Sequence, residues 1–181
     1  MKKLLLVFSA SILLLAGCNG SNDSAKNNST DSTSMAGSGN EGKEERNKQT
    51  ALASIQSFNN RNVDDVLKDA EPNAVEYGDG SGPVIKGVDS IKVGMRAWMD
   101  AFPDYKGENL KAIADGDEVV VCGDWSGTFK KDFMGMKATG KSFKAKDADI
   151  FTFNDEGKIT EHRAVQSMEG IFQQVGVPMK K

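Results

Sequence analysis

Hydrophobic side chains recur with two different spacings along this chain, and each spacing predicts its own elements. Between Glu44 and Asn59 they recur every three or four residues, which is the period of an amphipathic helix. The same period returns in VDSIKVGMRAWMDAF, a predicted helix that Pro103 ends. Between the two, Asn62 precedes VDDVLKDA and is a candidate N-cap for a short helix. The first half of the folded part is therefore predicted to be mainly helical.

From Tyr105 onward the helical period gives way to strand patterns. The four predicted strands are YKGENLKAIA, DEVVVCGDWSGTF, SFKAKDADIFTF and KITEHRAVQ. Turn-forming residues separate these stretches in ADGD, KKDFMGMKATGK and NDEG. A shorter strand candidate, NAVEYGD, precedes the second long helix, and MEGIFQQVGV is a last short helix candidate. Helices followed by a run of antiparallel strands predict an α+β fold.

Residues 1–17 have the layout of a secretory signal peptide. Two lysines precede an apolar run from Leu4 to Ala16, which is too short to span a bilayer as a stable helix. Leu15-Ala16-Gly17-Cys18 resembles the lipobox of bacterial lipoproteins. That resemblance implies an exported chain, acylated at Cys18 and anchored to a bacterial membrane. The alternative is an ordinary signal peptide followed by an incidental cysteine.

A polar segment separates this leader from the predicted domain. Residues 18–43 consist mainly of Asn, Ser, Thr, Asp and Gly, so they have little apolar surface to offset the entropy of ordering. We therefore expect a lipidated cysteine and a disordered linker over 18–43, and a folded domain over 44–181. Which membrane carries the anchor, and on which face, is not indicated.

Charge and cysteine content exclude several classes of function. The formal charge is -3 for the whole chain and about -5 once residues 1–17, with two lysines and no acid, are removed. A chain with this acidic balance lacks the excess of basic residues that is typical of nucleic-acid-binding proteins. With Cys18 lipidated, only Cys122 remains and no internal disulfide can form, so we expect Cys122 to be a buried, inert strand residue.

Two aspartates lie on the apolar face of one predicted strand. Side chains of one parity share a face of a strand. In SFKAKDADIFTF that face consists of Phe143, Ala145, Asp147, Asp149, Phe151 and Phe153. Because burying a charge on an apolar wall is costly, these carboxylates require partners.

His162, the only histidine of the chain, lies in the next predicted strand. If residues 154–157 form a four-residue connection, Asp149 faces His162 and Asp147 faces Ala164 across the strand pair. A carboxylate favours the imidazolium and burial opposes it, so such a pair can titrate near neutral pH. The pair is either a proton-transfer couple or a mutually hydrogen-bonded polar patch in the wall of a binding cavity.

A series of short motifs runs through the strand half of the chain. FPD precedes a strand, GDEVVV opens the next, G-x-F, F-M-G-M and T-G follow, and D-x-F-x-F and GKI-x-EH come last. From Ala51 to Val177 these motifs and the element order resemble the SnoaL-like polyketide cyclase group of the nuclear transport factor 2-like superfamily. The resemblance implies a cone-shaped fold in which a curved antiparallel sheet wraps round three N-terminal helices.

One position departs from this group. The resemblance implies that the general acid/base is an aspartate two residues after the histidine of the final strand. His162 matches that histidine, but the aspartate position is Ala164. Asp147 and Asp149 occupy positions where cyclases carry polar cavity residues, so His162, Asp149 and Asp147 are the catalytic candidates.

Three functions stay open. The first is a membrane-tethered domain that binds a small hydrophobic molecule in the cone cavity. The second is an ester cyclase or isomerase-type enzyme in which His162 and Asp149 move a proton beside a carbonyl group. The third is an interaction module that forms a homodimer through the outer face of the sheet and fills its cavity with side chains. Ala164 favours the first function over the second.

Further residues are candidates for contact with a ligand. Glu76 and Asp79 lie on or beside the first short strand and could reach the cavity. Although Asp147, Asp149 and His162 are metal-ligand types, neither a metal site nor a cofactor is expected. The predicted ligand-binding residues are Tyr77, Trp98, Trp125, Phe133, Met136, Phe151 and Ala164.

Overall fold

Helices precede the long strands in the structure, as the two hydrophobic periods predict. The structure is a computed structural model that describes residues 34–177. The elements are α1 (Ser34–Asn59), α2 (Val63–Val66), β1 (Ala70–Glu76), β2 (Ile85–Lys86), α3 (Val88–Ala101), β3 (Lys106–Asp115), β4 (Glu118–Thr128), β5 (Ser142–Phe153), β6 (Ile159–Ala164) and α4 (Met168–Gln174). This arrangement confirms the α+β class.

The strands form one curved, six-stranded sheet in the order β2-β1-β6-β5-β4-β3. Neighbours from β3 to β6 are antiparallel, but β1 runs parallel to β6. The expected wholly antiparallel sheet is therefore wrong at this pair. A parallel pair requires a long connection, and here helix α3 and three long strands separate β1 from β6 in the chain. Two-residue β2 is too short to show alternation and was not predicted.

Helix α1 begins at Ser34, ten residues before the predicted start at Glu44. The sequence of the added part has no apolar stripe, and its last residue, Lys43, makes polar contacts with the sheet. Lys43 forms ion pairs with Asp117 and Asp155, which lie in the turns that follow β3 and β5. The stretch predicted as linker is thus helical from Ser34 onward. The predicted signal peptide 1–17, Cys18 and the linker up to residue 33 lie outside the described residues.

Aromatic side chains from both halves of the chain form the main core beneath the sheet. Phe102 follows α3 and stacks on Phe129 with ring centroids 5.2 Å apart. Phe172 of α4 packs edge-on against Phe129 at 5.7 Å, and Phe143 of β5 does the same against Phe102, also at 5.7 Å. All four rings are almost fully buried. They hold α3 and α4 against the inner face of the sheet.

The register of β5 against β6 differs by two residues from the predicted one. Asp149 faces Ala164, and Phe151 faces His162. Half of the shift arises in the turn, where the Asn154 side chain accepts from two backbone N–H groups. The other half is a bulge at Thr160, whose hydroxyl donates to the carbonyl of residue 152. Because two shifts of one residue restore the parity, His162 still lies on the inner face.

Cys122 is exposed, which contradicts the expectation that it is buried. The alternation of β4 turns Val119, Val121 and Trp125 toward the core, so Cys122 has the outward parity. None of the helices among residues 34–177 is long and apolar enough to cross a membrane.

Candidate functional site

A cavity of about 850 Å³ lies between the inner face of the sheet and helix α3. Its walls are mostly apolar and come from all four helices and from every strand except β3. Exposed residues 81–83 and Met134 lie where the cavity meets solvent. The structure places every predicted ligand-binding residue in the lining, namely Tyr77, Trp98, Trp125, Phe133, Met136, Phe151 and Ala164. His162 and Asp149 line the cavity as well, whereas Asp147 is absent from the lining.

Three ionisable side chains from three neighbouring strands meet in this mostly apolar wall. His162 of β6 lies between Glu76 of β1 and Asp149 of β5. Its Nδ1 is 2.7 Å from Glu76 Oε2, and its Nε2 is 3.8 Å from Asp149 Oδ1. The side chains are only 24 %, 17 % and 15 % exposed, in the order His162, Glu76, Asp149. We call Glu76, His162 and Asp149 the polar triad.

Sheet pairing explains both distances. Glu76 faces His162 directly in the parallel pair of β1 and β6, so a short hydrogen bond joins them. Asp149 faces Ala164, two residues beyond His162, so it is a diagonal neighbour of the imidazole. The predicted direct pairing of Asp149 with His162 and of Asp147 with Ala164 is therefore wrong. The predicted proximity of Asp149 to His162 survives, but at 3.8 Å the contact is longer than a hydrogen bond.

Backbone contacts and an aromatic ring fix the imidazole and its main partner. Glu76 Oε1 accepts a 2.7 Å bond from the N–H of Gly78. The N–H of Tyr77 donates to the carbonyl of His162, which ties the two strands together beside the triad. The Phe151 ring packs against the imidazole with centroids 4.7 Å apart. The His162 ring is therefore held in one orientation, with Nδ1 toward Glu76 and Nε2 toward Asp149.

Electrostatics favour the charged form of the imidazole. Burial opposes the charge, but the charge and hydrogen bond of Glu76, together with the charge of Asp149, outweigh it and raise the pKa of His162 to about 9. For Glu76, burial again opposes ionisation, yet His162 and the Gly78 N–H lower its pKa below the usual range. At neutral pH the pair is thus an imidazolium bound to a carboxylate.

Asp149 titrates in a different range from Glu76. Burial raises its pKa to about 6, the nearby charges of Asp147 and Glu76 act in the same direction, and His162 offsets only part of this effect. Burial also raises the pKa of Asp147, which faces Gly123 on β4. Two carboxyl groups of the triad therefore differ in acidity because their environments differ, an arrangement that suits proton transfer.

Glu76 is the main partner of His162, whereas the strand pattern predicted Asp149 in that role. The missed information is the parallel pairing of β1 with β6, which joins positions 86 residues apart in the chain. A weak signal exists, since Glu76 has the same parity as buried Ala74 in the stretch AVEYG. Among residues 39–177, no three His, Cys, Asp or Glu side chains are arranged to hold a metal ion.

Residues 48–175 match the family model described as SnoaL-like polyketide cyclase. The match covers most of the chain and agrees with the resemblance in the motifs. No curated protein matches the chain at a significant level.

Solved structures with the same fold include proteins from several bacteria. A proposed polyketide cyclase from Xanthomonas campestris pv. campestris superposes with a TM-score of 0.68 and 18% identity, covering 74% of this chain and 99% of that one. A proposed SnoaL-like polyketide cyclase from Jannaschia sp. CCS1 gives 0.67 and 19%, over 75% and 95% of the two chains. AclR from Streptomyces galilaeus, a proposed hydroxylase, gives 0.62 and 23%, over 74% and 97%. At these identities the likeness shows the fold alone.

The raised pKa of Asp149 predicts a pH-dependent stability. Since the folded chain holds this proton more tightly than the unfolded chain, the contribution of Asp149 to stability falls as the pH rises from about 4 to about 6. Asp149→Asn removes this loss. We therefore expect the free energy of unfolding of the variant, relative to wild type, to rise by about 2 kcal/mol between pH ~4 and pH ~7 in urea titrations. A difference that does not change with pH would show that Asp149 is solvated.

Proposed function

We propose that this chain, which belongs to the SnoaL-like polyketide cyclase family, binds a small, mostly apolar molecule in its cavity. The observation that carries this proposal is a mostly apolar cavity of about 850 Å³ whose wall contains the polar triad. This volume falls within the range of small-molecule sites, which combine apolar walls with a few placed polar groups. The apolar walls supply affinity, and the triad orients the ligand.

His162 supplies the polar contact with the ligand in this proposal. Its Nδ1 is engaged by Glu76, while Nε2 makes no hydrogen bond with any described residue. A protonated Nε2 beside the cavity is therefore a free, charge-assisted donor. An oxygen atom of the ligand is the partner that best satisfies it. The same free space argues against an interaction module whose cavity is filled by its own side chains.

We further propose that the domain acts at a membrane. The support is the leader of residues 1–17 and Cys18, which resembles a lipoprotein processing site and would be acylated. Detergent partitioning of the chain expressed in bacteria, compared with Cys18→Ser, tests this anchor. Homodimer formation through the outer face of the sheet, where Ile113 is 52% exposed, is a separate proposal that sedimentation measurements test.

A second candidate function is proton transfer to and from a carbon atom beside a carbonyl group. The observation that favours it is the register, because Asp149 faces Ala164 directly across β5 and β6. Directly opposed side chains have Cβ atoms about 5 Å apart. A carboxylate at position 149 therefore serves nearly the same part of the cavity as the family aspartate at position 164 would. With its pKa raised to about 6, Asp149 is a suitable general base, and the His162 imidazolium can stabilise the oxygen of the enolate.

Ligand binding is tested with the neutral fluorescent dye N-phenyl-1-naphthylamine. We expect saturable, one-to-one binding to the wild-type chain. Ala164→Phe should weaken it by about tenfold or more, because the added ring occupies the cavity. Ala97→Phe, the same change on the exposed side of α3, is the matched control and should bind like wild type. Equal dye binding by all three chains, or no saturable binding to wild type, would contradict the binding function.

Proton transfer is tested by deuterium exchange of the α-hydrogens of 2-tetralone in D2O, followed by proton NMR. Asp149→Asn should slow the catalysed exchange by about 100-fold, since the general base is lost. Adding Ala164→Asp to that variant should restore exchange, because the facing position then supplies the carboxylate. If the wild-type chain does not accelerate exchange, or if Asp149→Asn leaves the rate unchanged, the proton-transfer function is excluded.

A further inference from the structure

Tyr105 enters the cavity wall from a firmly held stretch of backbone just before β3. The guanidinium of Arg61 donates to the carbonyls of Pro103 and Tyr105. Two residues later, the Asn59 side chain bonds both the N–H and the carbonyl of Gly107, each at 2.9 Å. The end of α1 therefore clamps the backbone on both sides of the tyrosine.

Three aromatic rings fix the Tyr105 side chain. Phe58 of α1 lies edge-on to it with centroids 5.5 Å apart, and Trp98 of α3 does the same at 5.7 Å. Phe143 of β5 packs at 6.1 Å with a tilt of 43°. Since contacts from two helices and the sheet surround the ring, the hydroxyl has little freedom to move.

The Tyr105 hydroxyl makes no hydrogen bond with another residue of 39–177, and it is not among the fully buried polar atoms without a partner, so it is open to the cavity that Tyr105 lines. Burial raises the pKa of this phenol well above its usual value, and the charges of Asp149 and Asp147 act in the same direction. The phenol therefore stays neutral at physiological pH and can act as an O–H donor. An acceptor oxygen of a ligand in the cavity would satisfy it.

We propose that the Tyr105 hydroxyl is a second hydrogen-bond donor to the cavity ligand, so that the site selects neutral molecules carrying a carbonyl oxygen. This inference rests on the proposed binding function and adds a specificity-determining residue to it. His162 and Tyr105 line the same cavity, and neither His162 Nε2 nor the Tyr105 hydroxyl has an acceptor among the described residues. The buried amide nitrogen of Gln166, in the same lining, also has no partner there. A carbonyl oxygen has two lone pairs and can accept from both.

The charges of the triad explain why the preferred ligand is neutral. Glu76 and Asp149 are both carboxyl groups, and the single imidazolium of His162 balances only one of them when both are ionised. A ligand carboxylate would bring a further negative charge into a poorly solvated site, which is unfavourable. A ketone or ester presents an acceptor oxygen without that cost.

The test compares 2-tetralone with tetralin, which has the same fused rings without the oxygen. Tyr105→Phe keeps the ring and removes only the hydroxyl. We expect the wild-type chain to prefer 2-tetralone, measured by displacement of N-phenyl-1-naphthylamine, and the variant to lose about fivefold of that preference. Tetralin should bind both chains equally, which also shows that the variant is folded.

A spectroscopic readout separates a direct hydrogen bond from a structural effect. The ¹³C resonance of carbonyl-labelled 2-tetralone should lie downfield when bound to wild type, relative to an apolar solvent, and move upfield in Tyr105→Phe. If tetralin binds and the preference and the resonance are unchanged by the substitution, only the Tyr105 inference fails. If neither compound binds the wild-type chain, the binding function fails and the Tyr105 inference fails with it.

Discussion

The structure depends on keeping one imidazolium charged inside an apolar wall. His162 can remain protonated there only because Glu76 bonds its Nδ1 at 2.7 Å and a second carboxylate lies near its Nε2. The pairing of β1, β6 and β5 meets this requirement, since each strand supplies one member of the triad. It also accounts for the raised pKa of Asp149, which shares a single positive neighbour with Glu76. The two carboxyl groups differ in pKa because they compete for this one positive charge.

A second feature of the site is that its carboxylate lies on β5, facing the β6 position where the family resemblance implies an aspartate. Ala164 leaves open a position where the family resemblance implies an aspartate, and Asp149 faces that position from β5. The apolar surroundings give Asp149 the weak acidity that a proton acceptor near neutral pH requires. The two proposed functions, ligand binding and proton transfer, therefore use the same residues, and they differ only in whether a ligand brings an acidic C–H bond to Asp149.

Local patterns predicted most of the fold but not the long-range contacts. The helical period located α3, and parity placed Asp149 and His162 on the inner face. The inward orientation of His162 was predicted correctly although the β5–β6 register was not, because the turn and the bulge at Thr160 together shift the register by two residues. Glu76 could not be assigned as the histidine partner, since no local pattern encodes the parallel pairing of β1 with β6. The early start of α1 was missed because ion pairs, not an apolar stripe, hold it.

The state of the buried imidazole is measured most directly by an NMR titration of His162, whose resonances are unambiguous because the chain has one histidine. The account predicts a pKa of about 9, which falls toward the ordinary value in Glu76→Gln. The sign is that of a group stabilised in its charged form, so the stability it adds is present at low pH and is lost as the pH rises through about 9. A pKa at or below 6.5 that is indifferent to Glu76→Gln would contradict the account.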